Sequence, residues 1–155
     1  MIGALEKPRE VLVALFSYYG VILLHECGHM VLAQRKRCGV NWIRLYPILG
    51  LVSYDLPYSR LDRAIIAWGG VLAQSLVTIP VLLYLSIFGY TKFDLINVAL
   101  GIWGYLSFGL ILFNLIPVPP LDGATAWKII PEFLSRLNRR PKKGAEKDAY
   151  RFRGY

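Results

Sequence analysis

Three long apolar stretches, separated by short polar segments, dominate the pattern of hydrophobic and polar positions. They cover residues 11–33, about 64–90 and about 95–116. A helix needs about 20 apolar residues, each adding about 1.5 Å of length, to cross the hydrocarbon part of a bilayer. The pattern therefore predicts an all-α membrane protein with a core of three transmembrane helices.

The segment between the first two stretches has a different pattern. Residues 39–58 are rich in β-branched and aromatic side chains but are interrupted by Pro47, Gly50 and Pro57. This run is too short and too broken for a spanning helix, and its turn-forming residues favour paired strands. We expect a re-entrant, β-hairpin-like segment, whose backbone is tolerated at membrane depth only where protein or a water-filled cavity satisfies it.

The chain after the third stretch begins with prolines at positions 117, 119 and 120, which cannot continue a helix. Residues 124–137 are then predicted to form a short amphipathic helix, interrupted by Pro131. We place the core domain at residues 1–137 and assign residues 138–155 to a basic C-terminal tail.

Composition supports the membrane interpretation, because 55% of the residues are hydrophobic and the mean hydropathy is +0.44. Both values exceed ordinary globular usage. A small soluble protein with a large core is the alternative, but there charges are interleaved with the apolar residues, whereas here they lie between the apolar stretches. Cys27 falls inside the first stretch, so Cys27 and Cys38 are expected to be free thiols rather than a disulfide.

The formal charge of +8 is concentrated in the loop after the first stretch and in the tail. Basic segments beside hydrophobic spans mark the cytoplasmic side and contact anionic lipid. Nucleic acid is the other partner that a basic tail can bind, and we expect none here. The sequence predicts a multi-pass protein of a prokaryotic cell membrane, with its C-terminus in the cytoplasm.

The clearest chemical motif is His25-Glu26-Cys27-Gly28-His29, near the end of the first stretch. Histidines four positions apart share one face of a helix, so both can bind one metal ion while the glutamate accepts a proton from water. A charged side chain at the centre of a span costs on the order of 2.5–3.5 kcal/mol, so three ionisable groups in five residues indicate a function. The alternative is a pair of histidines buried only for packing.

A catalytic zinc ion usually has three protein ligands and an open position. Asp122 is the best third candidate, because it follows a proline-broken helix end and precedes a turn-forming glycine. On the residues alone, Asp122 is a turn residue as readily as a ligand, and Asp94 and Cys27 are weaker rivals.

The His25-Glu26-x-x-His29 motif and the later Asn114-x-x-Pro117-x-Pro119-Pro120-Leu121-Asp122-Gly123 motif together resemble the site-2 protease family of intramembrane metalloproteases. The resemblance covers about residues 11–137. It implies an endopeptidase that hydrolyses peptide bonds within or next to transmembrane segments, in single-span membrane proteins or signal peptides. It also implies Zn²⁺ bound by His25, His29 and Asp122, with Glu26 as general base and Asn114 steadying the substrate or the oxyanion.

One segment departs from the family pattern. The family often carries Gly-Pro-x-x-Asn in its second core span, where this chain has Gly70 in place of the proline and Gln74 as the amide side chain nearest to the position of the asparagine. Gln74 can still donate an amide hydrogen bond, and the glycines of this span are expected to serve helix packing. Family members often add further spans or a PDZ domain, so the chain resembles a minimal core. A zinc-binding membrane scaffold or transporter is the competing function, against which the intact Glu26 argues.

Overall fold

The computed structural model describes residues 8–47, 50–57 and 59–138. These residues form a mostly helical structure with one small two-stranded hairpin. Nearly all of the predicted basic tail, residues 139–155, lies outside the described residues.

Among the described residues, three helices are long and apolar enough to cross a membrane. Helix α1 is Pro8–Arg35, α2 is Arg60–Phe88, and the third helical span is Asp94–Asn114. Helices are thus confirmed at the three predicted positions, and each has the length and composition that a membrane span requires. Helix α2 ends before the predicted position 90 because Gly89 has a φ of 70°, a backbone conformation that cannot continue a right-handed helix.

The third span is not a single regular α-helix. Helix α3, Asp94–Gly101, passes into a π-helical turn, Ile102–Leu106, and α4, Ser107–Asn114, follows. A π-turn changes which of the following side chains face a neighbouring helix, and such turns are frequent at functional sites. Apolar content alone does not distinguish a π-turn from an α-turn, so the sequence pattern predicted one continuous helix.

The predicted hairpin is present between α1 and α2. Strands β1, Val40–Leu45, and β2, Gly50–Tyr54, are antiparallel, and the register shifts between Val40 and Trp42. Both strands pack against α1. The hairpin therefore lies beside the helix that carries the two histidines.

The segment after α4 forms two short helices instead of one. Helix α5 is Gly123–Ala126 and helix α6 is Ile129–Leu137. The prediction that Pro131 interrupts the helix was wrong, because the break falls before α6 and Pro131 lies within its first turn. A proline is tolerated there, since the first N–H groups of a helix have no partner within it.

Glycines allow α1 and α2 to approach closely. A Cβ atom on Gly69 would lie 2.5 Å from the carbonyl oxygen of Gly28, so neither position has room for a side chain. The outer faces carry large apolar side chains, and Phe16 and Leu76 are 78% and 77% exposed. Small residues between helices and apolar residues outside are the arrangement that lipid-embedded helices use.

Candidate metal centre

His25 and His29 lie on the buried face of α1, one helical turn apart. Their side chains are 8% and 7% exposed, and their Nε2 atoms are 3.1 Å apart. A Cβ atom on Gly70 of α2 would lie 2.5 Å from Nε2 of His25 and 2.6 Å from Nε2 of His29. The absence of a side chain at Gly70 therefore makes room for the two ring nitrogens. This role is additional to the helix packing that was predicted for the glycines of this span.

Each histidine donates its Nδ1 hydrogen to a group on α2. Nδ1 of His29 lies 2.8 Å from the carbonyl oxygen of Ile66, which can only accept. Nδ1 of His25 lies 2.9 Å from Oε1 of Gln74. The Gln74 amide must have this orientation because its Nε2 lies 3.1 Å from the carbonyl oxygen of Ser107, another pure acceptor. When neutral, both rings therefore carry a lone pair on Nε2.

Asp122 brings a third acceptor atom to the same point. Its Oδ2 lies 2.8 Å from Nε2 of His25 and 3.1 Å from Nε2 of His29. Two nitrogen lone pairs and a carboxylate oxygen at these distances repel one another unless a cation lies among them. Two imidazoles and one carboxylate form a ligand set of the kind that catalytic zinc sites use. The three residues thus fit a divalent metal ion such as zinc.

A proton can take the place of a metal ion at this point. Burial raises the pKa of the Asp122 carboxyl, but hydrogen bonds and electrostatic attraction from the His25 and His29 side chains outweigh burial. The pKa of Asp122 is therefore well below its ordinary value. Because metal ligands must be deprotonated, acid and metal ions compete for the three atoms.

Two tryptophans hold the loop that carries Asp122. Nε1 of Trp127 donates to the carbonyl oxygen of Leu115 at 2.7 Å, and Nε1 of Trp68 donates to the carbonyl oxygen of Ala126 at 3.0 Å. The two indole rings also pack edge to face, with their centroids 5.5 Å apart. The loop is thereby tied to the end of α4 on one side and to α2 on the other.

Glu26 lies between the three candidate ligands and the hairpin. It is 6% exposed and interacts electrostatically with all three. A Cβ atom on Gly50 would lie 2.6 Å from Oε1 of Glu26, and the backbone N–H of Val52 faces the carboxylate. The Val52 N–H therefore points away from β1, and the outer edge of β2 faces Glu26.

No protein-family model matches the chain. The chain is 30% identical over 122 residues to a Synechocystis sp. protein named "putative zinc metalloprotease sll0528". The aligned region covers 77% of this chain but 31% of that protein, so the chain spans less than a third of its relative's length.

The structure brings together all three predicted ligands, His25, His29 and Asp122. Neither rival joins them within the described residues. Cys27 is two positions from His25 and so lies on another face of α1. Asp94 begins α3 and lines a surface cavity with Glu10, about 22 Å along α1 from His25 at the rise of an α-helix.

Asn114 is the last residue of α4 and is half-buried. Its contact with a substrate stays a prediction, as does the role of Glu26 as base. Gln74 was expected to donate a hydrogen bond, and it also accepts one from His25.

Other groups of the site are not predicted by the sequence pattern: Ile66, Ser107, Trp68 and Trp127. A backbone carbonyl such as that of Ile66 leaves no mark in the sequence. Polar atoms inside apolar spans were the available clue to Ser107 and Trp68, because a buried polar group needs a partner.

Proposed function

We propose that the chain is an intramembrane zinc metalloprotease of the site-2 protease type. It would hydrolyse peptide bonds within or next to transmembrane segments of membrane proteins. One observation carries the proposal: three metal-binding atoms converge beside Glu26 on the buried face of a helix that is long and apolar enough to cross a membrane. Histidines buried only for packing need neither a converging carboxylate nor a second carboxylate beside it.

His25, His29 and Asp122 would hold the zinc ion. Bound zinc supplies a Lewis acid that lowers the pKa of water and polarises a carbonyl group. Glu26 would accept a proton from the attacking water and return it to the leaving amine. Asn114 is the proposed amide donor to the negative charge that develops on the carbonyl oxygen.

The proposed substrates are single-span membrane proteins or signal peptides. A helical substrate must unwind first, because its amide groups are already bonded four positions along the helix. The edge of β2 at Val52 faces Glu26, which supports this edge as the place where an extended substrate adds as a further strand. Added there, the substrate backbone would pass beside the base.

The loop after α1 and the C-terminal tail are proposed to lie in the cytoplasm, because basic residues concentrate in both. The tail would contact anionic lipid. Lys36 at the end of α1 forms a 2.7 Å ion pair with Asp62 at the start of α2, which ties the two ends of the loop together. Reporter fusions at position 58 and at Tyr155 should report the same side, and opposite sides would contradict three spans.

The proposed function is tested by Glu26→Gln, which keeps the size of the side chain and removes the proton acceptor. Wild type and variant are co-expressed with candidate single-span substrates, and fragment release and zinc content are measured. We expect zinc content to stay the same and cleavage to fall about 10²- to 10⁴-fold. Glu132→Gln on α6, outside the site, is the matched control and should cleave like wild type.

Two outcomes would contradict the proposal. If Glu26→Gln retains zinc and cleaves as fast as wild type, Glu26 is not the base. If wild type binds zinc tightly yet cleaves nothing in a broad substrate panel, the chain is better explained as a zinc-binding scaffold or transporter.

A further inference from the structure

We infer that Gln74 is a positioning residue that holds His25 in the tautomer able to bind a metal ion, and that Ser107 orients Gln74 for this purpose. The metal-affinity part of the inference rests on the proposed zinc site. The tautomer part does not, because it concerns the metal-free protein.

A continuous chain of buried polar groups runs from His25 to the third span. Nδ1 of His25 is 2.9 Å from Oε1 of Gln74, and Nε2 of Gln74 is 2.9 Å from Oγ of Ser107 and 3.1 Å from its carbonyl oxygen. The Ser107 hydroxyl is 2.5 Å from Oγ1 of Thr78. Gln74 is 1% exposed, and Ser107 and Thr78 are fully buried. Both polar atoms of the Gln74 amide are thus hydrogen-bonded to groups of the protein.

The carbonyl oxygen of Ser107 fixes the direction of these hydrogen bonds. A carbonyl oxygen can only accept, so the Gln74 nitrogen must face Ser107 and the Gln74 oxygen must face His25. An acceptor at 2.9 Å from Nδ1 requires that Nδ1 carries the hydrogen. Nε2 is then free to bind a metal ion. In metal sites, a hydrogen bond from the ring nitrogen that does not bind the metal commonly fixes the tautomer and the orientation of the histidine.

The alternative tautomer has a ready partner, which is why Gln74 matters. With the hydrogen on Nε2, His25 could donate to Oδ2 of Asp122 at 2.8 Å and would close the site to a metal ion. In the wild type this tautomer would place the unprotonated Nδ1 of His25 next to the Gln74 oxygen, and two acceptor atoms repel each other. Without the Gln74 acceptor, the Nδ1 hydrogen would be buried and unbonded, so the Nε2 hydrogen would be preferred.

His29 provides an internal control. Its Nδ1 donates to the backbone carbonyl oxygen of Ile66, which a side-chain substitution at position 74 leaves in place. The chain contains only two histidines, so histidine-selective labelling gives two imidazole spin systems in an NMR spectrum. The tautomers of the two rings can therefore be determined separately in one sample.

The first experiment compares wild type, Gln74→Met and Gln74→Asn in detergent micelles, metal-free, at a pH where both imidazoles are neutral. Methionine keeps the length without an acceptor, and asparagine is too short to bond both His25 and Ser107. We expect Nδ1–H on both rings in wild type, Nε2–H on His25 in Gln74→Met, and a mixture of His25 tautomers in Gln74→Asn. His29 should keep Nδ1–H throughout.

The second measurement is zinc affinity by competition with a chelator, with Gln34→Met on the exposed end of α1 as the matched control. We expect Gln74→Met to weaken zinc binding about 10- to 100-fold, as removal of an outer partner of a metal-binding histidine does. Ser107→Ala should weaken it less, and should add nothing in the Gln74→Met background because the two act in series.

An unchanged His25 tautomer in Gln74→Met would overturn the inference, even if that variant were less stable. If Gln74→Met does not fold, the Gln74→Asn spectrum decides in the same way. A His25 tautomer that changes while wild type binds no zinc would support the positioning role and contradict the zinc site. Loss of cleavage with tautomer and zinc affinity unchanged would overturn the inference and leave the proposed function standing.

Discussion

The histidine pair and the Asp122 loop supply ligands to one site, but different interactions hold them in place. His25 and His29 lie four positions apart on a regular helix, and each ring makes one hydrogen bond to α2. Asp122 follows an irregular segment between α4 and α5, which depends on indole hydrogen bonds from Trp68 and Trp127. The first arrangement is mostly local, whereas the second joins parts of the chain that are far apart in sequence.

This difference predicts different sensitivities. A helix fixes its side chains through many backbone hydrogen bonds, none of which a single side-chain change removes. A loop held by two side-chain hydrogen bonds depends on about 1 kcal/mol from each. A substitution that crowds the histidines should therefore weaken metal binding strongly, whereas a substitution that loosens the loop should weaken it moderately.

The largest effect is expected from Gly70→Ala. The new methyl group would meet Nε2 of His25 at 2.5 Å and Nε2 of His29 at 2.6 Å, where the metal ion must bind. We expect zinc affinity, measured by chelator competition, to fall by more than about 100-fold, beyond the range for changes outside the ligand shell. Gly101→Ala is the matched control, because nothing lies within 4 Å of its Cβ position. Equal zinc affinities in the two variants would contradict the placement of Gly70 against the ligands.

A smaller effect is expected from Trp127→Phe, which keeps an aromatic ring and removes the donor to Leu115. The loop should then sample positions in which Asp122 is displaced, and zinc affinity should fall about 10-fold, since ligands must be held within about 0.5 Å. Trp42→Phe on the exposed hairpin is the control, with no expected change. A Trp127→Phe protein with wild-type affinity would show that the loop needs no indole anchor.

The histidine pair could be predicted from the sequence more fully than the position of the Asp122 loop. The helical period placed His25 and His29 together, and apolar length located the three spans, because both depend on local pattern. The motif led to Asp122, but its approach to the histidines requires contacts that no local pattern contains. Gly123 illustrates this: a Cβ atom there would lie 2.5 Å from the carbonyl oxygen of Ile116, a close approach that the structure alone reveals. The π-turn before Ser107 has no sequence pattern of its own.

The smallest effect is expected from Val52→Pro, which tests the hairpin edge proposed to bind substrate independently of the metal centre. Val52→Pro removes the N–H that faces Glu26. Ile43 lies directly across from Val52, and opposed residues in an antiparallel pair either bond each other or both point outward. The Ile43 N–H therefore points to the far edge of β1, which makes Ile43→Pro a matched control with the same strain on the strand.

We expect Val52→Pro to lower kcat/KM for a single-span substrate about fivefold, the effect of losing one hydrogen bond of about 1 kcal/mol. Ile43→Pro should stay close to wild type, and zinc affinity should be the same in all three proteins, because neither backbone N–H contacts a metal ligand. Equal losses of cleavage in the two variants would mean that the hairpin supports folding and that its inner edge does not bind substrate. A loss of zinc affinity in Val52→Pro alone would instead make β2 part of the metal centre, joined to it through Glu26.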